Sequence, residues 1–423
     1  MSQKRRSFLQ AVFGLGGATL FSGGSFAAGA KAPKKLLTVF VAGGWDTTYA
    51  LDAKQGASGV DSPQGDLKSV GQLVYLADPS RPKASSFFEQ YGSLTTVING
   101  IQVQSINHPD CAKRMLTGTA SDTSPDFSTI AAHELGSSMS APLLALGPTA
   151  FTGNLGSIAV RTGTVTQLKT LMDPDVAFPG PDLLPSKRFR PDAAEAKAID
   201  SYVKKRANSL FQGPAAHGQN RARVEDFLSS RERGEAFKKF SGAFSEELEF
   251  SLDINVQIDI AVRALTEGLS QSVHLETPFG WDTHTENVLQ GPLQEDLFTS
   301  LSTLIEKLQV TPGTEAGNKL IDETVVVVVS EMGRTPKLNV DGGKDHWPVT
   351  SAILLGGGLK GARTLGGTDD TLQSLKVDFA TGQSSDAGKT VQYGNFAAAV
   401  LEAVGVDSKP YFPNAEAFHA LNA

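Results

Sequence analysis

Eight positions in this chain of 423 residues pair reactive side chains with neighbours that would deliver them to one place. Asp46 closes Gly43-Gly44-Trp45-Asp46, and His108 follows Asn107. Asp282 and His284 lie in Gly280-Trp281-Asp282-Thr283-His284, and Glu331 and Arg334 in Ser330-Glu331-Met332-Gly333-Arg334-Thr335. Asp345 and His346 stand just before Trp347. Carboxylates mixed with imidazoles suit a divalent cation such as Zn²⁺, Mn²⁺ or Mg²⁺, and the mixture does not choose among them. Asp282 and His284 share a face only if their backbone is extended; on a helix they would diverge by about 200°. All three tryptophans of the chain adjoin this set. Indole rings make a good apolar wall for a cleft that excludes water from charged groups. Glu331 and Arg334 are also readable as an ion pair closing a loop, and His108 as a structural residue beside a helix cap.

Placing these residues together requires strands that end where they begin. Thr324 is followed by five consecutive valines and then Ser330. Such a run cannot alternate between core and water, so it reads as a strand buried on both faces, within a parallel sheet covered by helices. Open α/β sheets bind ligands at the carboxyl edge of their strands. Further core strands are expected at Lys35 to Ala42, Leu94 to Gly100, Gln271 to Glu276 and Ser351 to Leu355, with short ones at Ala141 to Leu146 and Ser157 to Arg161. Asn107 is a suitable N-cap, Pro109 and Asp110 fit a first turn, and Gly118 fits the position past a helix end. Helices are also expected at Leu252 to Gly268, Leu293 to Leu308 and Asn395 to Val404. Residues 51–72 and 364–391 read as loops, and 185–250, charged and helix-favouring, as a helical insertion. The fold class is therefore α/β: a mostly parallel central sheet with helices on both faces and a helical insertion.

Hydrophobic residues make up 40% of the chain, enough to fill a core without staples, and the single cysteine, Cys111, excludes an intramolecular disulfide. The first residues carry Lys4-Arg5-Arg6-Ser7-Phe8-Leu9, a short Gly-rich apolar run, and small residues up to Ala30. This pattern reads as a twin-arginine secretory signal over 1–30, with a single domain over 31–423. It implies the twin-arginine translocase as an export partner and a periplasmic location. The apolar run is too short to span a bilayer comfortably, and no transmembrane segment is expected in the mature chain. Loss of Lys4, Arg5 and Arg6 would make a chain of net charge −7 still more acidic, which argues against nucleic-acid binding.

Taken in order, the twin-arginine start, Gly-Gly-Trp-Asp46, Asn107-His108 opening a helix that ends Thr117-Gly118, Gly280 to His284, Ser330 to Thr335, Asp345-His346 and Gly356 to Gly361 resemble a known set. They are similar to the bacterial domain-of-unknown-function family fifteen-oh-one, itself similar in fold to the alkaline phosphatase and sulfatase superfamily. The resemblance implies an alkaline-phosphatase-like fold, metal ligation by Asp46, Asp282, His284, Glu331, Asp345 and His346, and an anionic ester substrate. Met332 stands where the superfamily has a metal histidine, and a thioether cannot replace it in a hard-metal site. His108 falls at the nucleophile position; Cys111 is out of register with it. His108 is then nucleophile, metal ligand or structural residue, and Arg334 would balance charge on the ester oxygens. Two readings follow: an exported metal-dependent hydrolase of phosphate or sulfate esters, or a non-catalytic periplasmic binding or assembly protein on the same fold. Replacing Arg5 and Arg6 together by Lys is expected to leave precursor in the cytoplasm, as seen by cell fractionation; normal export of that variant would refute the twin-arginine reading.

Overall fold

The computed structural model describes residues 33–161, 191–213, 217–238 and 253–423. The signal reading over 1–30 and parts of the 185–250 insertion lie outside the described residues. Strands are numbered in chain order: β1 Lys35–Val41, β2 Asp66–Val70, β3 Leu73–Ala77, β4 Thr95–Gln102, β5 Leu143–Ala145, β6 Ala159–Arg161, β7 Ser272–Glu276, β8 Thr324–Ser330, β9 Gly333–Arg334, β10 His346–Trp347, β11 Val349–Gly356 and β12 Arg363–Gly366.

The valine run has no polar side to give to water, and β8 sits inside an eight-stranded sheet with every residue buried. The sheet order is β12-β4-β11-β8-β1-β7-β5-β6. β1 pairs in parallel with β7 and β8, β5 with β6 and β7, and β12 with β4. β11 is antiparallel to both β4 and β8, so it alone runs against the rest. Mixed sheets of this kind remain covered on both faces.

Alternation along each strand divides the interior into two cores. Val325, Val327 and Val329 join Leu36 and Phe40 on one face, against helices His108–Thr117, Phe127–Gly136 and Tyr393–Ala403. Val326 and Val328 join Leu37, Val39 and Val41 on the other, against helices Pro82–Tyr91, Ile254–Thr266 and Gln290–Val310. The fold is thus the expected α/β class.

Several elements extend or correct the expectation. The helix Phe127–Gly136 and the helix Pro82–Tyr91 were not anticipated, although Ala84, Phe87, Phe88 and Tyr91 form a helical apolar stripe. β2 occupies part of the expected 51–72 loop and pairs with β3 as a hairpin. β12 covers the start of the 364–391 stretch; four residues ending in glycine carry little strand signal, and pairing with β4 fixes them. In the insertion, helix Ala193–Gln212 starts on a capping box between Asp192 and Glu195. It is joined to helix Gly218–Lys238 by an Asp200–Arg231 pair at 2.7 Å. Arg233 donates to the Ser157 carbonyl at 2.7 Å. No helix among the described residues is long and apolar enough to cross a membrane.

Val327 is fully buried in the middle of the sheet. Its replacement by Ala removes packed methyl volume and is expected to cost about 2 kcal/mol. The same truncation at the fully exposed Val340 should stay within about 0.5 kcal/mol. Denaturant unfolding of the two variants checks the difference.

Candidate metal centre

Parallel strands bring their carboxyl ends to one edge, and the candidate residues follow those ends. β1 runs into Gly43-Gly44-Trp45-Asp46, β7 into Asp282 and His284, β8 into Glu331 and Arg334, and β4 into the helix headed by His108. His346 arrives differently. It precedes β11, whose reversed direction puts its start at the carboxyl edge of its neighbours. The two-residue ribbon β9–β10 then sets His346 opposite Arg334.

Two glycines allow the strand ends to close up. Gly43, at φ +122°, leaves room for the backbone of Trp281 and Asp282, since a Cβ there would lie 2.9 Å from the Trp281 nitrogen. Gly44, at φ +84°, does the same for Met332 and Arg334. Both conformations suit glycine far better than any residue with a side chain.

Ligating atoms of His108, Asp282 and His346 all lie within 4.8 Å of one another. His346 Nε2 is 3.1 Å from Asp282 Oδ1, and His108 Nε2 is 3.3 Å from Asp282 Oδ2. His284 joins from the outer side, its Nε2 at 3.1 Å from Asp282 Oδ1 and 2.9 Å from His346 Nε2. The partners of the opposite ring nitrogens settle the tautomers. His346 Nδ1 donates to the Ile106 carbonyl at 2.6 Å, and His284 Nδ1 to Asp345 at 2.8 Å. With both rings neutral, Nε2 lone pairs turn toward each other and toward a carboxylate oxygen. His108 Nδ1 lies 2.9 Å from Glu331 Oε1, while its Nε2 is buried with no hydrogen-bond partner.

Acceptors that converge in this way repel unless positive charge stands among them. The hydrogen bond from His108 to Glu331, reinforced by the charges of Glu331 and Asp282, raises the His108 pKa above its ordinary value against the opposing effect of burial. The same geometry is what a ligating imidazole needs, with its far nitrogen held by a carboxylate or carbonyl. Burial would raise the Asp282 pKa, but the Arg334 guanidinium and His346 outweigh it and hold the carboxylate below the usual range. Asp345 is lowered chiefly by His284. The residues present fit a cation held by imidazole nitrogen and carboxylate oxygen.

The eight sequence candidates thus take different places. His108, Asp282, His346 and His284 present atoms to the centre. Glu331 and Asp345 stand behind His108 and His284 and orient them. Glu331 also accepts from the Gly43 amide at 2.8 Å, so one oxygen already serves two partners and less of it is left for a metal. Arg334 is buried, donating to the carbonyls of Gly43, Gly44 and Lys344 and to Asp282 at 2.7 Å. It positions Asp282 and presents no free donor edge to an ester, contrary to the expectation. Asp46 is drawn away as well. Its carboxylate faces Lys344 Nζ at 2.8 Å, both side chains being fully buried. It also accepts from Thr48 and from Asn287 Nδ2. A built-in ammonium occupies the place where the resemblance implies a metal.

The sequence reading missed Lys344, Asn287 and Gln290, which together hold Asp46. Their only signal was position, since Lys344 adjoins Asp345 and Asn287 follows the Asp282–His284 segment. Met332 is buried in a core cluster and takes no part in the centre. Burial pushes the Cys111 thiol up to about 11, so it is no ready nucleophile. His274 lies deep in the sheet, where burial pulls its pKa down to about 4.

The fold and site define an α/β protein with a cluster of histidines and Asp282, of a kind that could hold a metal ion, at the carboxyl edge of its sheet. Residues 218–419 match the family model described as "Protein of unknown function (DUF1501)", in agreement with the motif resemblance. No curated protein matches the chain. Similar solved structures include a protein in the alkaline phosphatase superfamily from Vibrio parahaemolyticus, at 10% identity and TM-score 0.38, covering 89% of this chain and 68% of that one. A sulfatase from Pseudoalteromonas sp. is 10% identical at TM-score 0.35, covering 92% and 72%. A phosphonate monoester hydrolase from Silicibacter pomeroyi is 11% identical at TM-score 0.32, covering 90% and 77%. These likenesses are low, and the architecture rests on the strand order given above.

Lys344→Met would strand the Asp46 carboxylate in the interior. It is expected to destabilise the fold by about 3–5 kcal/mol, measured by denaturant unfolding, while metal content per folded chain stays at the wild-type value.

Proposed function

We propose that this chain is an exported, metal-dependent hydrolase of phosphate or sulfate esters. The observation that carries the reading is the convergence of His108, Asp282 and His346, with His284 beside them, on one point lined by acceptors. A donor set rich in imidazole favours zinc or a similar transition ion over magnesium, which prefers oxygen and water. A bound ion of this kind supplies Lewis acidity toward an ester oxygen.

The chain's own residues do the rest. Asp345 and the Ile106 carbonyl fix the tautomers of His284 and His346, and Arg334 holds Asp282 in its rotamer. The nearby hydroxyls are committed elsewhere: Ser330 Oγ donates to the Val41 carbonyl at 2.7 Å, and Thr283 bonds Asn287 and Gln290. This supports hydrolysis by water in preference to a covalent serine or threonine intermediate. His108 is better placed as a ligand than as a nucleophile, because its Nε2 faces Asp282 and its Nδ1 is held by Glu331. A second reading, a non-catalytic binding or assembly protein on the same fold, is favoured by the internal commitment of Arg334 and Asp46.

Elemental analysis of protein purified without added metal is expected to find one ion per chain. His108→Ala and Asp282→Asn should each lower occupancy by tenfold or more in affinity, by analogy with the loss of any ligand or its support. Turnover of a panel of phosphate and sulfate esters should fall in parallel. Full metal content with no turnover on the panel would favour the second reading, and absence of metal in wild-type protein would sink the first.

A further inference from the structure

Exposed large apolar side chains of the described surface fall mainly in two places, the helical pair of the insertion and the segments around the centre. Phe279, on the loop after β7, is 64% exposed, although nothing in a loop requires a large apolar side chain there. Its ring meets the His108 ring edge-on, with centroids 5.4 Å apart and planes at 70°. Five more exposed apolar side chains sit on the segments that build the centre: Ile106, Val288, Leu289, Leu338 and Val340. The Ile106 carbonyl accepts from His346, and Asn339, between Leu338 and Val340, donates to the His284 carbonyl at 2.8 Å. The Asn287 amide, next to Val288, donates to the Gly342 carbonyl at 3.1 Å. Outside the helical pair, the other exposed large apolar residues described are Leu67, Val74 and Val310.

Charge points the same way. The cations on these segments are already paired: Lys337 with Asp61 at 2.9 Å, Lys344 with Asp46, and Arg334 with Asp282. On the His108 helix, Arg114 pairs with Asp110 and Lys113 with Asp122. A multiply charged ligand would therefore find little beyond the centre to neutralise it, whereas an apolar group would find Phe279 within reach of an anion held at His108.

We infer that the ester taken by this site carries an apolar organic group, an aryl group foremost, and that Phe279 selects it. The inference rests on the ester reading and adds the substrate class. An aryl ring against Phe279 gains area burial and a preferred edge or offset contact. Two non-hydrolysable anions that differ only in that group, methylphosphonate and phenylphosphonate, test it by calorimetric titration of zinc-loaded protein. Phenylphosphonate is expected to bind about tenfold more tightly. The preference should shrink to about twofold in Phe279→Ala and return in Phe279→Tyr. An exposed position should leave the thermal transition of both variants unchanged. Equal binding of the two anions by wild-type protein, or an undiminished preference in Phe279→Ala, would overturn the inference and leave the ester reading standing. Binding of neither anion to protein that holds zinc would count against the ester reading itself, and the inference would fall with it.

Discussion

A guanidinium sealed from water ties this molecule's strand ends together. Arg334 leaves the end of β8, and four of its hydrogen bonds go to Gly43 and Gly44 beyond β1, to Lys344, and to Asp282 beyond β7. Arginine cannot shed its charge at any accessible pH, so these partners cannot be optional. The approach they demand is what excludes side chains at positions 43 and 44. With Arg334 in place, Asp282 is oriented and ionised, and the rest of the centre is arranged around that carboxylate.

A second buried pair, Asp46 with Lys344, lies at the same edge but does a different job. Burying two charges gains little net stability, and removing either one leaves the other uncompensated. Here the pair pins the segment before Asp345 and His346 against the loop after β1. The polar chain through Thr48, Asn287 and Gln290 takes up the remaining hydrogen-bonding groups of Asp46. The edge thus separates into a closed half, where a lysine neutralises an aspartate, and an open half, where histidine nitrogens and Asp282 face each other. Only the open half has the chemistry of a cation site, and Phe279 meets it through the His108 ring.

How much was legible depended on whether the signal was local. The valine run stated its own burial, because five branched apolar residues in a row leave no face for water. Asn107 and Gly118 marked both ends of the His108 helix, since cap residues act through their immediate neighbours. Asp282 and His284 do share a face, their side chains meeting at 3.1 Å, with the backbone between them turning through a His284 N–H to Asp282 carbonyl hydrogen bond. By contrast, β12 is fixed by pairing with β4 and carries little local signal, whereas the helices Pro82–Tyr91 and Phe127–Gly136 do start on local signals, a Pro in the first turn and the Asp126 cap.

The sequence by itself determined the sheet class, the edge at which the polar residues gather, and the residue types available for a cation. Tertiary structure decided which of those residues reach the centre and which do not. Asp46 and Glu331 look equivalent to Asp282 in sequence, each a carboxylate just past a buried strand. Lys344 claims the first across nearly 300 positions, and His108 with the Gly43 amide claims the second. His346 reaches the edge only because β11 runs backwards and β10 pairs with β9. Partner choice among buried charges depends on distances of a few ångströms between segments far apart in the chain, and such distances exist only once the sheet has formed.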